Sequence, residues 1–145
     1  MIIFIAFILD GILSNVNFFV LTISSLVVSS PYIKVRKFYL ISFIVGLLYD
    51  ICYTDTIFLN AFVFLLLAYV VKKLNKFFPF NFINTLLIDF IIILLYRTIT
   101  YFLLSTTYYL NFDFNLLLES IYLSLLYSFI FVSIFYYVKR YYKVM

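Results

Sequence analysis

Residues 38–60 decide the fold, and they read FYLISFIVGLLYDICYTDTIFLN. The run is uncharged until Asp50, and Gly46 is one of only two glycines in the chain. Ser42, Gly46 and Asp50 are four residues apart, which places them on one narrow face of a helix, and Tyr49 lies beside it. Inside a bilayer, small residues on such a face let another helix approach closely. We therefore predict that these four residues bind a partner helix, and the alternative is close packing within this chain.

Asp50 lies at the C-terminal end of the predicted helix, where the partial negative charge of the helix end disfavours an acid. One interpretation is that Asp50 simply caps or hydrates the helix end. The electrostatic mismatch favours a dedicated partner instead. Tyr49, one residue earlier, is typical of an anchor at the membrane–water interface.

The composition places the chain in a membrane. Hydrophobic residues make up 68% of the 145 residues and charged residues 11%, and the mean hydropathy is +1.21. A soluble domain of this length has too little interior to bury so much apolar side chain. With two glycines, two prolines and abundant Leu, Ile and Phe, the spans are predicted to be helices, since membrane β-strands would alternate apolar and polar residues.

Most basic residues fall in three short clusters beside apolar segments. The clusters are Lys34, Arg36 and Lys37; Lys72, Lys73 and Lys76; and Lys139, Arg140 and Lys143. Clusters in such positions mark cytoplasmic ends of membrane spans. Basic residues spread between spans do not form a nucleic-acid surface, so we expect no nucleic-acid partner.

The absence of histidine, with Cys52 as the only cysteine, excludes a disulfide framework and a Cys/His metal site within one chain. We expect neither a metal nor a cofactor.

The order of segments predicts an all-α polytopic bundle of six transmembrane helices, as one integral membrane domain over residues 1–145 with both termini cytoplasmic. Residues 1–28 form two short spans with a turn at Asp10-Gly11 and residues 14–17, or else one long span. The later spans are residues 38–52, 56–71, 82–105 and 116–138, and Pro79 and Asn81 mark one of the turns between them. The outer ends hold four acids and no Lys or Arg. This asymmetry supports the orientation.

Residues 43–50, FIVGLLYD, are followed by a short polar turn and by a second apolar segment that ends in Lys72-Lys73. This helical hairpin resembles the rod shape-determining membrane protein MreD, in the form found in low-GC Gram-positive bacteria and their relatives. The order of spans and basic links is similar over essentially the whole chain. Only the hairpin is a specific match, whereas elsewhere the agreement is one of pattern.

The resemblance implies a protein that is not an enzyme. MreD-like proteins are multi-pass components of the bacterial plasma membrane that belong to the cell-wall elongation machinery. They associate with the single-span protein MreC and, through it, with peptidoglycan synthases and MreB filaments. The residues agree, because six scattered acids without histidine supply no nucleophile with a base and no pair of facing carboxylates.

Three charges fall inside the predicted spans: Asp89, Arg97 and Glu119. Asp89 and Arg97 are separated by about 12 Å along the helix axis and about 80° around it, so they do not pair. A long Arg97 side chain reaches toward Glu119 across the hairpin of the last two spans. We expect either a structural ion pair between Arg97 and Glu119, or a polar contact to a partner helix or cavity, since charges inside a membrane are costly.

Two other function classes fit the size and topology. Substrate-binding subunits of energy-coupling-factor vitamin transporters also have six helices, but they usually carry an Ala-xxx-Ala surface on the first helix, where this chain has Ala6 alone. A lipid carrier or flippase needs a polar cavity, which Asp89, Arg97 and Glu119 begin to supply. Co-purification with MreC would support the scaffold, and co-purification with an ATPase module would support the transporter.

Overall fold

The computed structural model describes residues 2–13, 20–54, 58–107 and 113–144. Within these residues the chain is helical and contains no strand, which confirms the all-α prediction. The helices are α1 (Ile2–Leu13), α2 (Leu21–Ser29), α3 (Val35–Tyr49), α4 (Leu59–Phe77), α5 (Phe82–Thr107) and α6 (Phe114–Val144). A 3-10 turn, Ser30–Tyr32, follows α2, and a π-helical turn, Asp50–Thr54, follows α3.

The first 29 residues contain two short helices that pack side by side, α1 and α2. The alternative of one long span is therefore wrong. Asp10 and Gly11 lie inside α1, so the predicted turn at this pair is also wrong, while residues 14–17 lie outside the described residues. The 12 residues of α1 and the nine of α2 reach only about 18 Å and 14 Å, well short of a bilayer core of about 30 Å.

Helix α2 lies at the centre of the bundle. All nine of its residues are buried, and it packs against α1, α5 and α6, with a smaller contact to α4. Its sequence, LTISSLVVS, has side chains no larger than Leu or Ile. Small side chains bring the surrounding helix backbones close together, which is how helices associate where water supplies no driving force. The core is therefore built around the shortest helix.

The longer helices form two hairpins, α3 with α4 and α5 with α6. The turn between the hairpins includes Pro79 and Asn81, as predicted, since α4 ends at Phe77 and α5 begins at Phe82. The Asn81 side-chain oxygen accepts a hydrogen bond of 2.8 Å from Asn84 N. That bond satisfies one of the free N–H groups of the first turn of α5.

The outside of the bundle is strongly apolar. Large hydrophobic side chains are exposed on α1, α3, α4, α5 and α6. Two of the described helices contain stretches long and apolar enough to cross a membrane, Phe82–Leu103 in α5 and Phe114–Val138 in α6, and Ile2–Ile12 is a shorter apolar helix. Exposed Leu, Ile and Phe surround an interior that buries several polar and charged side chains together with its hydrophobic core, and this arrangement matches a lipid environment better than water.

Candidate functional site

The face of α3 that contains Gly46 is covered by α4. A Cβ atom added to Gly46 would lie 2.6 Å from Ala61 Cα and 2.7 Å from Asn60 O, so glycine alone allows this approach of the two backbones. Ser42 is fully buried one turn earlier, and its hydroxyl donates a 2.9 Å hydrogen bond to Phe38 O of its own helix. The face of α3 that contains Ser42 and Gly46 is therefore packed against α4 of the same chain, which is the alternative of close packing.

Asp50 binds the start of the next helix. Its Oδ1 accepts hydrogen bonds of 3.0 Å from the backbone N and from Nδ2 of Asn60, and its Oδ2 accepts one of 3.0 Å from Ala61 N. These N–H groups belong to the first turn of α4, where the helix end carries partial positive charge. The electrostatic argument for a partner is therefore wrong, because Asp50 stabilises the N-terminus of α4 rather than opposing the C-terminus of α3.

The hydrogen bonds of Asp50 continue through Asn60 to α5. Tyr96 donates a 3.0 Å hydrogen bond to Asn60 Oδ1, so a chain of hydrogen bonds runs from Asp50 through Asn60 to Tyr96. Tyr49 is also internal, with its ring centroid 5.0 Å from that of Tyr53 and 5.6 Å from that of Phe64. It is only 9% exposed, so its interpretation as an interfacial anchor is wrong. Partner binding by Ser42, Gly46, Tyr49 and Asp50 stays a prediction, although all four are buried here.

Asp10 makes an equivalent contact between α1 and α2, which the sequence did not predict. It is 3% exposed, and its carboxylate accepts hydrogen bonds from Leu21 N at 2.9 Å and from Thr22 N at 2.8 Å, and one from the Thr22 hydroxyl. An acid near the end of one helix again binds the free N–H groups that start the next. The sequence feature that could have predicted this contact is the similar distance from each acid to the start of the next helix. Asp10 precedes Thr22 by 12 residues, and Asp50 precedes Ala61 by 11.

Lys72 binds the opposite end of α2. Its ammonium group donates hydrogen bonds to Ser30 O and, at 2.8 Å, to Ile33 O, and Nζ lies 4.7 Å from the centroid of the Phe38 ring. The C-terminus of a helix carries partial negative charge, so a cation there is favourable. Lys72 thus stabilises the end of α2, whereas the other two lysines of its cluster, Lys73 and Lys76, are exposed.

Arg97 does not pair with Glu119. Its Nε donates a 2.9 Å hydrogen bond to Ser124 Oγ, the side chain of Glu119 is exposed, and no ion pair joins the two among the described residues. Glu119 and Ser124 are five residues apart, which is about 140° around α6, so only one of them can face α5. Arg97 Nη2 is buried without a hydrogen-bond partner within the described chain.

Asp89 lines a groove between α5 and α6 with a volume of about 630 Å³. Its carboxyl lies near the hydroxyls of Ser24 and Ser128. Neither Asp89 Oδ1 nor Ser24 Oγ has a hydrogen-bond partner among the described residues, and the Ser128 hydroxyl donates to Leu125 O at 3.0 Å. Asp89 is only 2% exposed. Side-chain hydroxyls therefore surround this carboxyl, whereas the carboxylates of Asp10 and Asp50 accept hydrogen bonds from the backbone of the next helix.

The buried charges among the described residues do not share one site. Asp10, Asp50 and Lys72 are each used by helix ends, and Arg97 and Asp89 lie on different contacts of α5. No three His, Cys, Asp or Glu side chains of residues 2–13, 20–54, 58–107 and 113–144 lie together as a metal site needs.

The family model described as "MreD: rod shape-determining protein MreD" matches residues 1–139. The comparisons with curated proteins and with solved structures gave no match.

Proposed function

The chain belongs to the MreD family of rod shape-determining proteins, and from this premise we propose that it is a non-enzymatic membrane scaffold of the cell-wall elongation complex. In this role it binds MreC and, through MreC, associates with peptidoglycan synthases and MreB filaments. The observation that carries the proposal is the family match over residues 1–139, which spans nearly the whole chain. The buried charges that serve helix ends support it, because they give most of the polar interior a structural role.

The scaffold would be a multi-pass protein of the bacterial plasma membrane, with residues 1–145 as one domain and six membrane helices. Two features of the structure support this topology. Lys72 contacts the carbonyl groups of Ser30 and Ile33, so the basic clusters at residues 34–37 and 72–76 lie at one end of the bundle. The Tyr53 hydroxyl donates a 2.8 Å bond to Phe7 O, which brings the ends of α1 and α3, each with its buried acid, together at the other end.

Cysteine labelling tests this topology. Cys52 is exposed, so the background is the Cys52→Ser protein. A cysteine at Val35 should react with a membrane-impermeant maleimide only after the cells are opened, because the basic clusters hold that end in the cytoplasm. A cysteine at Asp113 should react in intact cells. Labelling of the Val35 position in intact cells would contradict the orientation.

Co-purification and depletion test the scaffold function. Affinity purification of the full chain from membranes solubilised in mild detergent should retain MreC. Depletion in the native bacterium should turn elongated growth toward rounded cells and disperse new wall synthesis. Unchanged shape and wall insertion after depletion, together with the absence of MreC from the purified protein, would contradict the proposal.

The same purification separates the transporter alternative. An energising ATPase module in place of MreC would support a vitamin transporter subunit. Ala6, the only alanine of the first segment, is fully buried in a cluster with Ile2, Leu21 and Phe131. A buried alanine does not form a docking surface, so the structure supplies no observation in favour of this alternative.

A further inference from the structure

We propose that a groove between the start of α3 and the end of α4 binds the phosphate of an anionic phospholipid, and that the acyl chains of this lipid lie on the apolar surface next to the groove. The groove has a volume of about 500 Å³, and its walls include Val35 and Tyr39 of α3 and Tyr69, Lys73 and Lys76 of α4. It lies at the end of the bundle that carries the basic clusters. This lipid site does not depend on the binding of MreC.

The positive charge of the groove is not balanced by an acid of the chain. Lys73 and Lys76 are exposed in it, and the basic cluster at residues 34–37 lies at the same end of the bundle. No Asp or Glu occurs in residues 11–49 or 56–88, which include the whole of α2, α3 and α4. Lysine binds phosphate as a point charge, and basic pockets between membrane helices on the cytoplasmic side bind anionic lipid head groups. We therefore expect the counter-charge to come from outside the chain.

The lysines of the groove differ in what they already bind. The ammonium group of Lys72 is used by the backbone carbonyl groups at the end of α2, so it helps to fix the wall of the groove. Lys73 and Lys76 are three residues apart and lie on one side of α4. Tyr69, one turn before Lys73, is 57% exposed and carries a hydroxyl that can donate to a phosphate oxygen. Tyrosine is typical of the head-group depth of a membrane.

One exposed row of α4 changes from apolar to cationic along the helix. Its members are spaced by three or four residues and are Phe62, Leu66, Tyr69, Lys73 and Lys76. The rise from Phe62 to Lys73 is about 17 Å, which is close to half of the hydrocarbon thickness of a bilayer, about 15 Å. The row therefore matches one leaflet, with acyl chains against its apolar part and a phosphate at its lysines.

Helix α3 extends the apolar part of this surface. The rings of Phe43 and Phe62 are in contact, with their centroids 6.4 Å apart, and Tyr39 lies one turn nearer the groove. A soluble phosphate compound would use only the lysines, whereas a phospholipid also gains dispersion contacts with these side chains. The combination favours a membrane lipid over free phosphate or a nucleotide.

Tryptophan fluorescence tests the site, because the chain contains no tryptophan of its own. The full chain with Tyr69→Trp is reconstituted in phosphatidylcholine vesicles that contain increasing amounts of phosphatidylglycerol with brominated acyl chains, which quench tryptophan on contact. Brominated phosphatidylcholine gives the reference for a lipid without net charge. The same chain with Leu40→Trp reports on the general lipid surface, since Leu40 is exposed and lies about 100° from Tyr39 around α3.

We expect a preference for phosphatidylglycerol at Tyr69→Trp of about fivefold for each of the two exposed lysines, or about 25-fold in all, and almost no preference at Leu40→Trp. Lys73→Gln together with Lys76→Gln should remove the preference. The matched control is Lys34→Gln together with Lys37→Gln, which removes the same charge from the same end but outside the groove, and it should keep the preference within about twofold. All four lysines are exposed, so both variants should stay folded, which circular dichroism checks.

Equal preferences at the two tryptophan positions would overturn the site, and so would an equal loss in the two double-lysine variants, because either result indicates a general attraction to the basic end. Glycerol 3-phosphate in large excess on both sides of the membrane separates a lipid from a soluble phosphate compound. It should leave the quenching at Tyr69→Trp unchanged. If it relieves the quenching, the groove binds soluble phosphate and the assignment to a lipid is wrong.

Discussion

The closest backbone contact in the bundle gives a sharp stability prediction for Gly46→Ala. An added Cβ would lie 2.6 Å from Ala61 Cα, against at least 3.4 Å for an ordinary contact, so α3 and α4 must separate by 3.4 − 2.6 = 0.8 Å. The obstacle is backbone, which cannot rotate away as a side chain does. The bond from Ala61 N to Asp50 Oδ2, now 3.0 Å, would lengthen beyond hydrogen-bonding distance.

The size of the effect follows from three contributions. Overpacking costs about 1–3 kcal/mol, and loss of a hydrogen bond to a charged group costs about 1.5–3 kcal/mol. Alanine regains about 1 kcal/mol over glycine inside a helix. We therefore expect Gly46→Ala to lower the free energy of unfolding by about 3 kcal/mol, within a range of about 1.5–5 kcal/mol, and 3 kcal/mol is about a 150-fold change in the folding equilibrium.

Equilibrium unfolding by SDS in mixed micelles, followed by circular dichroism, measures this change. Ile44→Phe is the matched control, because it also adds volume to α3 but on the exposed face, and it should stay within about 0.5 kcal/mol of the wild type. A Gly46→Ala protein as stable as the control would refute the packing argument. If that protein also failed to retain MreC, the face that contains Gly46 would be a partner surface.

Two further changes test the polar contacts at the ends of α2. Asp10→Ala should lower the free energy of unfolding in the same SDS assay by about 3 kcal/mol or more, because it leaves the backbone N–H groups of Leu21 and Thr22 unpaired. Thr22→Val, which removes only the hydroxyl contact, should cost about 1 kcal/mol, and equal effects of the two variants would contradict the capping role. Lys72→Met keeps the apolar stem but removes the donor to two carbonyl groups at the end of α2, so it should cost about 1–2 kcal/mol and speed amide hydrogen exchange in α2. Lys73→Met, at an exposed position, should change neither quantity, and an equal effect of both lysine variants would contradict the prediction.

The sequence predicted the features that depend on local composition and spacing. The later helices follow from long apolar runs, the α4–α5 turn follows from Pro79 and Asn81, and the close approach at Gly46 follows from small residues four apart. The helix ends were less well predicted. Helix α4 continues through its basic cluster to Phe77, because lysines are good helix formers and remain solvated at the end of the bundle.

The two capping acids could not be assigned from their own helices. Asp10-Gly11 has the composition of a turn, and Asp50 looks unfavourable at the end of α3. In both cases the N–H groups that bind the carboxylate belong to the next helix, 10 to 12 residues later. The tertiary packing of the helices decides which helix end an acid faces. The similar spacing between each acid and the start of the next helix is the local sequence feature that indicates these contacts.

The prediction of an Arg97–Glu119 ion pair was wrong for a different reason. The two residues lie on neighbouring antiparallel helices at similar depth, and the sequence argument used depth alone. The rotation of α6 decides the contact instead, because Ser124 faces α5 and Glu119 lies about 140° away around the helix. A hairpin predicted from hydropathy defines the length of its helices but leaves their rotation open, so side-chain pairs between them are not determined.

The buried charges divide by the groups that surround them. Asp10, Asp50 and Lys72 each bind the end of a helix whose partial charge is opposite to their own, so each has a structural role without any partner. Asp89 lies about two turns inside α5, where every backbone N–H is already used by the helix, so its carboxyl is surrounded by the side-chain hydroxyls of Ser24 and Ser128 instead. The division follows from helix geometry, since free backbone N–H and C=O groups are found only at helix ends and a charge in a helix interior must use side chains.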